Sequence, residues 1–135
     1  MDIQKLQKNV EKEDKKEFCV FLMDLEKDEI LKLSDNEYAK LMKLIKLFSP
    51  KVSDIIALKE YIFNEGLEAI TEANEYKKVL KNSLLARFYF DCAINLSVEK
   101  DLNYASAMMN KGISLSRLAD WGEESEKNLR ESPIN

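Results

Sequence analysis

The sequence predicts an all-α domain, an irregular antiparallel helical bundle of five or six helices ending in an αα-hairpin. Three observations carry that prediction. Apolar residues recur every three to four positions along most of the chain, the period of helices that bury one face. Only 3 Gly and 2 Pro occur in 135 residues, too few chain-reversal residues for a turn-dense all-β fold. Hydrophobic residues make up 45% of the chain, enough to close one core at this length. A single helical domain over residues 1–121 is expected, with a frayed tail over 122–135 that thins out to charge and ends in Ser132-Pro133-Ile134-Asn135.

The elements follow in order. Residues 2–12 place Ile3, Leu6 and Val10 on one thin stripe, spaced i, i+3, i+7. In a short chain with this apolar load, that stripe is the natural self-association contact of a homodimer. Glu11 to Glu17 has no apolar residue and reads as a solvated turn or junction. Phe18, Phe21, Leu22 and Leu25 resume the helical spacing, and charged flanks without turn residues favour helix over a buried strand.

Ser34-Asp35-Asn36-Glu37 is the clearest start signal. Ser34 can accept from the N–H three residues on while Glu37 reaches back to the Ser34 N–H, a capping box. That helix carries Tyr38, Leu41, Met42, Ile45 and Phe48 and is expected to end at Ser49-Pro50, because the residue before proline is pushed out of the α region. Ser53 is the next N-cap candidate, heading a helix with Ile55, Ile56, Leu58, Ile62, Phe63, Leu67 and Ile70. Gly66 within it is a weak point of about 1 kcal/mol against Ala unless a neighbour packs on it closely. Apolar density drops at Thr71–Asn74, where a joint is expected. A helix over 75–96 follows, with Tyr76, Val79, Leu80, Leu84, Phe88 and Cys92. The last helix, over 103–121, has Ala105, Met108, Met109, Gly112, Ile113 and Leu118 as its small and apolar positions. Trp121 before Gly122 reads as a side chain covering the core edge at a helix end.

Charge and composition exclude several function classes. Lys+Arg is 21 and Asp+Glu is 25, a net charge of -4, and neither half of the chain is basic. A broad electrostatic footprint for nucleic acid is therefore not written into the chain. Histidine is absent, which removes the commonest general base and the commonest metal ligand, and with it a Glu-x-x-His di-iron site. No Gly-rich phosphate loop, Cys-x-x-Cys or Cys–His arrangement exists, so the chain is read as non-enzymatic and without a cofactor. Cys19 and Cys92 sit in apolar runs and read as buried free thiols. The longest unbroken apolar run, Phe18 to Met23, falls far short of the ~20 residues of a membrane span. The first residues carry no apolar leader segment, and a cytoplasmic location is expected.

Tyr89-x2-Cys92-Ala93-x2-Leu96, then Ala105-x3-Met109-x2-Gly112, resembles one degenerate tetratricopeptide-type repeat over 89–116. Lys100-Asp101-Leu102 stands where that family has its short turn. The resemblance covers about a quarter of the chain, lacks the family's Gly in the first helix and its closing Pro, and has no second copy. It implies a helix–turn–helix hairpin whose small residues allow close approach, and a module that binds another protein or a peptide.

Four groups of residues stand out as candidate sites. Arg87 and Asp91 are four apart in an apolar run, with Tyr89 and Phe90 beside them; Phe90 falls furthest from the core stripe. Aromatic and Arg residues are the types that anchor interfaces, so Arg87, Tyr89, Phe90 and Asp91 are the expected partner-binding face. Lys40, Lys43, Lys46 and Lys51 form a cationic edge, the contact of an alternative nucleic-acid-associated regulator, although the run Tyr38 to Phe48 has no Arg, Asn or Gln to face a base. Glu65, Glu68, Glu72 and Glu75 share one helical face, the feature a metal-dependent hydrolase would use; a solvated face is the plainer meaning. Trp121 is the fourth. The function read from the sequence is protein–protein interaction through a helical surface, as an adaptor, inhibitor or regulatory subunit.

Overall fold

The computed structural model of the chain describes residues 1–74 and 78–131, and the side chains of all of these except Asn74 and 121–131. Among the described residues there are seven helices and no strand: α1 (Ile3–Glu11), α2 (Lys15–Met23), α3 (Lys27–Leu31), α4 (Asp35–Val52), α5 (Ile56–Asn74), α6 (Val79–Leu96) and α7 (Leu102–Glu131). The all-helical prediction holds, with a helix more than the five or six expected. The extra element is α3, which has five residues and so shows barely one apolar repeat. It starts where Glu29 Oε1 accepts from the Glu26 N–H at 3.4 Å. None of the described helices is long and apolar enough to cross a membrane.

Local chemistry explains most boundaries. Of the expected junction over 11–17 only residues 12–14 lie between helices, and they form a tight corner with Glu13 at φ 52° in the left-handed region. Asp14 then caps α2 by accepting from the Glu17 N–H at 3.1 Å. The capping box at α4 forms as the sequence predicts: the Glu37 N–H donates to Ser34 Oγ at 3.2 Å and the Ser34 N–H to Glu37 Oε1 at 3.1 Å.

Several expected boundaries move. The α4 helix does not end at Ser49 but runs through Pro50 to Val52. Proline lacks the N–H that would have bonded the Lys46 carbonyl, and Ser49 Oγ donates to that carbonyl at 2.8 Å instead. Ser53 is not an N-cap; its hydroxyl donates back to the Pro50 carbonyl at 3.2 Å and closes α4. Thr71–Asn74 is not a joint, since α5 continues to Asn74. The next helix starts at Val79, behind Lys78 at φ 48°, and Glu75 and Tyr76 lie outside the described residues. α7 continues past Trp121 and Gly122 to Glu131, so Gly122 does not end it. The Trp121 side chain and residues 132–135 of the expected frayed tail lie outside the described residues.

The centre of the fold is α6, which packs against α3, α4, α5 and α7. Residues 88–92 of this helix are all buried, so it has no solvent face at mid-length. One hydrophobic cluster extends from Leu6 to Ala107. Gly66 is where α5 meets α6: a Cβ there would sit 2.8 Å from Phe90 Cε1. The sequence exception for Gly66, a neighbour packed closely upon it, is the case that applies. Cys92 is buried and Cys19 half-buried, both as free thiols, and burial pushes both above their ordinary value.

Candidate functional site

Of the four residues expected to present a partner-binding face on α6, three are buried and Arg87 is half-buried. Phe90 is 0% exposed, Tyr89 2% and Asp91 7%. Consecutive aromatics on a helix point in different directions, and a helix with neighbours on several sides finds a partner for each. Phe88 meets Tyr38 of α4 edge-on, with ring centroids 5.9 Å apart, and Phe90 meets Phe63 of α5 at 5.7 Å. The stripe Ile3, Leu6 and Val10 is not a free dimer contact either. Ile3 and Leu6 are buried and Val10 half-buried, because α1 packs on α2 and α4 of its own chain.

Arg87 and Asp91 instead belong to a polar cluster that joins three helices. Asp91 Oδ2 accepts a short hydrogen bond from the Tyr38 hydroxyl of α4. Asp91 Oδ1 lies 2.6 Å from Lys111 Nζ of α7. The ion-pair partner of Asp91 is therefore Lys111, not Arg87 four residues earlier. The Arg87 guanidinium lies over the Tyr38 ring, 4.7 Å from its centroid, and its buried Nε has no hydrogen-bond partner. Asn95 completes the row, donating to the Asp91 carbonyl at 2.8 Å. Burial holds the Tyr38 hydroxyl well above the ordinary tyrosine value, reinforced by the Asp91 carboxylate it donates to. With its proton fixed there, this hydroxyl is a tie between helices.

The cluster sets the rotation of α7. Lys111 points inward, and Ala107 and Ser114 on either side of it are the residues that α7 buries completely among its described side chains. Their opposite face is solvent-exposed. Leu102 is 85% exposed and Met109 64%, and Met108, Ile113 and Leu115 are exposed beside them. Of the positions read from the sequence for this helix, Ala105, Met108, Met109, Gly112 and Ile113 thus face outward and Leu118 is half-buried. Ala105 and Gly112, two of the small residues in the repeat resemblance, are exposed as well, and a Cβ at Gly112 would meet nothing within 4 Å.

A groove of about 650 Å³ opens between the start of α5 and the connection from α6 to α7. Ile56, Phe63, Leu96 and Val98 supply apolar walls, and Lys59 and Glu99 are among its charged residues. Ile56 is 67% exposed and Val98 54%, so the mouth itself is apolar.

The remaining candidates are on the surface. Lys40, Lys43 and Lys46 all lie on the exposed side of α4. Lys51 Nζ lies 3.6 Å from Glu13 Oε1. Glu65 and Glu68 line an open cleft of about 460 Å³ with Glu26, Asp28, Tyr61 and Tyr89. Burial and then the Glu65 carboxylate push both tyrosine hydroxyls up. Glu72 is exposed and Glu75 lies outside the described residues. Among the described residues no group of three or more Cys, Asp or Glu side chains is placed to hold a metal ion.

Lys111 and the groove escaped sequence reasoning. Lys111 did leave a signal, as the one charged residue between Leu102 and Ser116. A lone charge in an apolar helix needs a partner, and the only question is where. The groove left none, because it is formed by residues some forty positions apart in sequence. Comparisons with protein-family models, with curated proteins and with solved structures gave no match.

Proposed function

We propose that the protein is a non-enzymatic binding protein whose groove between α5 and the α6–α7 connection takes an amphipathic segment of another protein. The observation that carries this reading is the composition of the groove. Its apolar residues Ile56, Phe63, Leu96 and Val98 would receive an apolar side of the partner. Lys59, Glu60, Glu99 and Asp101 would pair with the partner's charges and fix its register. The reading takes α6 and α7 as the closing hairpin of an irregular antiparallel bundle, with the tight cluster at Asp91 holding the α6–α7 wall and the Gly66–Phe90 approach fixing α5 against it. A rigid groove spares a partner the ordering cost that a mobile one would impose.

The test is affinity capture from the native cell with wild type, Ile56→Asp and Val98→Asp side by side. Both positions are mostly exposed, so neither change disturbs the core. A protein held by wild type and lost from both variants supports the groove. Recovery of the same proteins by all three would refute it.

A further inference from the structure

The outward face of α7 has a repeat of its own. Leu102, Ala105, Met109, Gly112, Ser116 and Ala119 are all exposed. Their spacing alternates three and four residues, the heptad of a helix that pairs with another helix. Met108, Ile113 and Leu115 flank this line and are also exposed. No charged side chain interrupts it from Leu102 to Ala119, although 34% of the chain is charged. Among the described residues this face has no partner, since Ala107, Lys111 and Ser114 make the inward side.

We propose that this face pairs with the same face of a second copy of the chain, the two α7 helices running antiparallel about a two-fold axis beside residues 110 and 111. The sizes along the line select that arrangement. Antiparallel pairing sets Met109 against Gly112 of the second copy, Leu102 against Ala119, and Ala105 against Ser116. Each large side chain then meets a small one, and the open space at Gly112 is where the Met109 thioether packs. Parallel pairing would set Met109 on Met109 and Gly112 on Gly112 and leave four of the six layers small on small, against the two Ala105–Ser116 layers of the antiparallel pair. A two-fold contact of this kind closes on itself and gives a dimer, not a filament. With a net charge of -4 on each chain, the uncharged face is also where two copies repel least. The exposed parts of these side chains limit what pairing can bury to on the order of 500 Å² per chain, the low end of specific interfaces, the class of weak and reversible contacts. This pairing leaves the groove open and does not depend on it.

Sedimentation equilibrium of the pure protein, from about 1 μM to about 500 μM, reads the self-pairing directly. The expected mass rises from 15.7 kDa toward twice that value. Gly112→Leu fills the space that Met109 of the second copy needs and is expected to raise the dissociation constant at least about tenfold. Position 112 is exposed and an added Cβ meets none of the described residues within 4 Å, so the fold is expected to tolerate the variant, and an unchanged or raised melting temperature checks this. Orientation is read by cysteine cross-linking. Ala105→Cys is expected to cross-link to Ser116→Cys when the two are mixed, and not to itself. A wild-type chain that stays at monomer mass throughout overturns the proposal. So does a Gly112→Leu chain that dimerises like wild type, or an Ala105→Cys chain that cross-links to itself. A monomeric chain that still captures a protein through Ile56 and Val98 overturns the self-pairing alone.

Discussion

Replacing Lys111 with Met tests whether the Asp91 cluster holds α7 in place. The substitution keeps the length and apolar stem of the side chain and removes its charge. Asp91, 7% exposed, then keeps the Tyr38 hydroxyl as its donor from α4 and loses the ammonium 2.6 Å away. A hydrogen bond to a charged group contributes about 1.5–3 kcal/mol, and stripping one partner from a fully buried pair costs about 3–5 kcal/mol. The Lys111 side chain is 34% exposed, so water reaches the carboxylate from that side and the lower figure governs. The expected loss is about 1.5–2 kcal/mol, which lowers the melting temperature of a domain this size by roughly 5–10 °C. The assay is urea unfolding of four chains: wild type, Lys111→Met, Asp91→Leu and the double variant. The double variant is expected to be more stable than the sum of the single losses allows, with a coupling of about 1–2 kcal/mol, because it leaves no buried charge alone. A Lys111→Met chain within about 0.5 kcal/mol of wild type would show that the cluster is incidental to how α7 is held.

Gly66→Ala is expected to destabilise the wild-type chain: the helix gains about 1 kcal/mol of propensity, but the new Cβ falls 2.8 Å from a Phe90 ring packed against Phe63, where overfilling costs about 1–3 kcal/mol. In a Phe90→Leu chain the same change is expected to stabilise, and a Gly66→Ala chain that melts higher than wild type would remove the close approach of α5 and α6. Glu37 is held below its ordinary 4.5 chiefly by the Ser34 N–H it accepts from, so its cap contributes stability above that pH and loses it as pH falls through the lower folded value. Glu37→Gln is therefore expected to cost stability near neutral pH and little at about pH 3, as read from urea midpoints; an equal cost at both would contradict this cap. Cys92 is buried with its thiol pushed up, so at about pH 8 it is expected to react with a thiol reagent only at the rate of unfolding, and Cys19 first. Simultaneous labelling of both in the folded chain would refute that burial.

What the sequence disclosed and what it hid divide by the range of the forces involved. The capping box at Ser34 is complete within four residues, and its two hydrogen bonds form as read. Pro50 shows a local rule overruled by an equally local atom, since the Ser49 hydroxyl serves the carbonyl that proline leaves open. The α6 aromatics were misplaced for a different reason. A helical period tells how apolar residues are spaced, but says nothing of how many neighbours the helix will have, and α6 has four. Asp91 was legible as a charge in an apolar setting, whereas its partners Tyr38 and Lys111 lie on two other helices and answer to no spacing at all.

The same limit gives α7 its meaning. A sequence pattern assigns the apolar side of a helix to the core by default. In α7 the default fails, because the buried ion pair at Lys111 turns Ala107 and Ser114 inward and commits the richer apolar side to solvent. That arrangement leaves Leu102 and Met109 in water, a cost an isolated chain has no reason to bear when a rotation of the helix would cover them. That rotation would carry Lys111 away from Asp91, which keeps only its Tyr38 donor, and the loss of about 1.5–2 kcal/mol offsets the hiding of about one large side chain. On the proposed pairing the two features work together: the Asp91–Lys111 contact orients α7, and the exposed side it leaves is the one that meets the second copy.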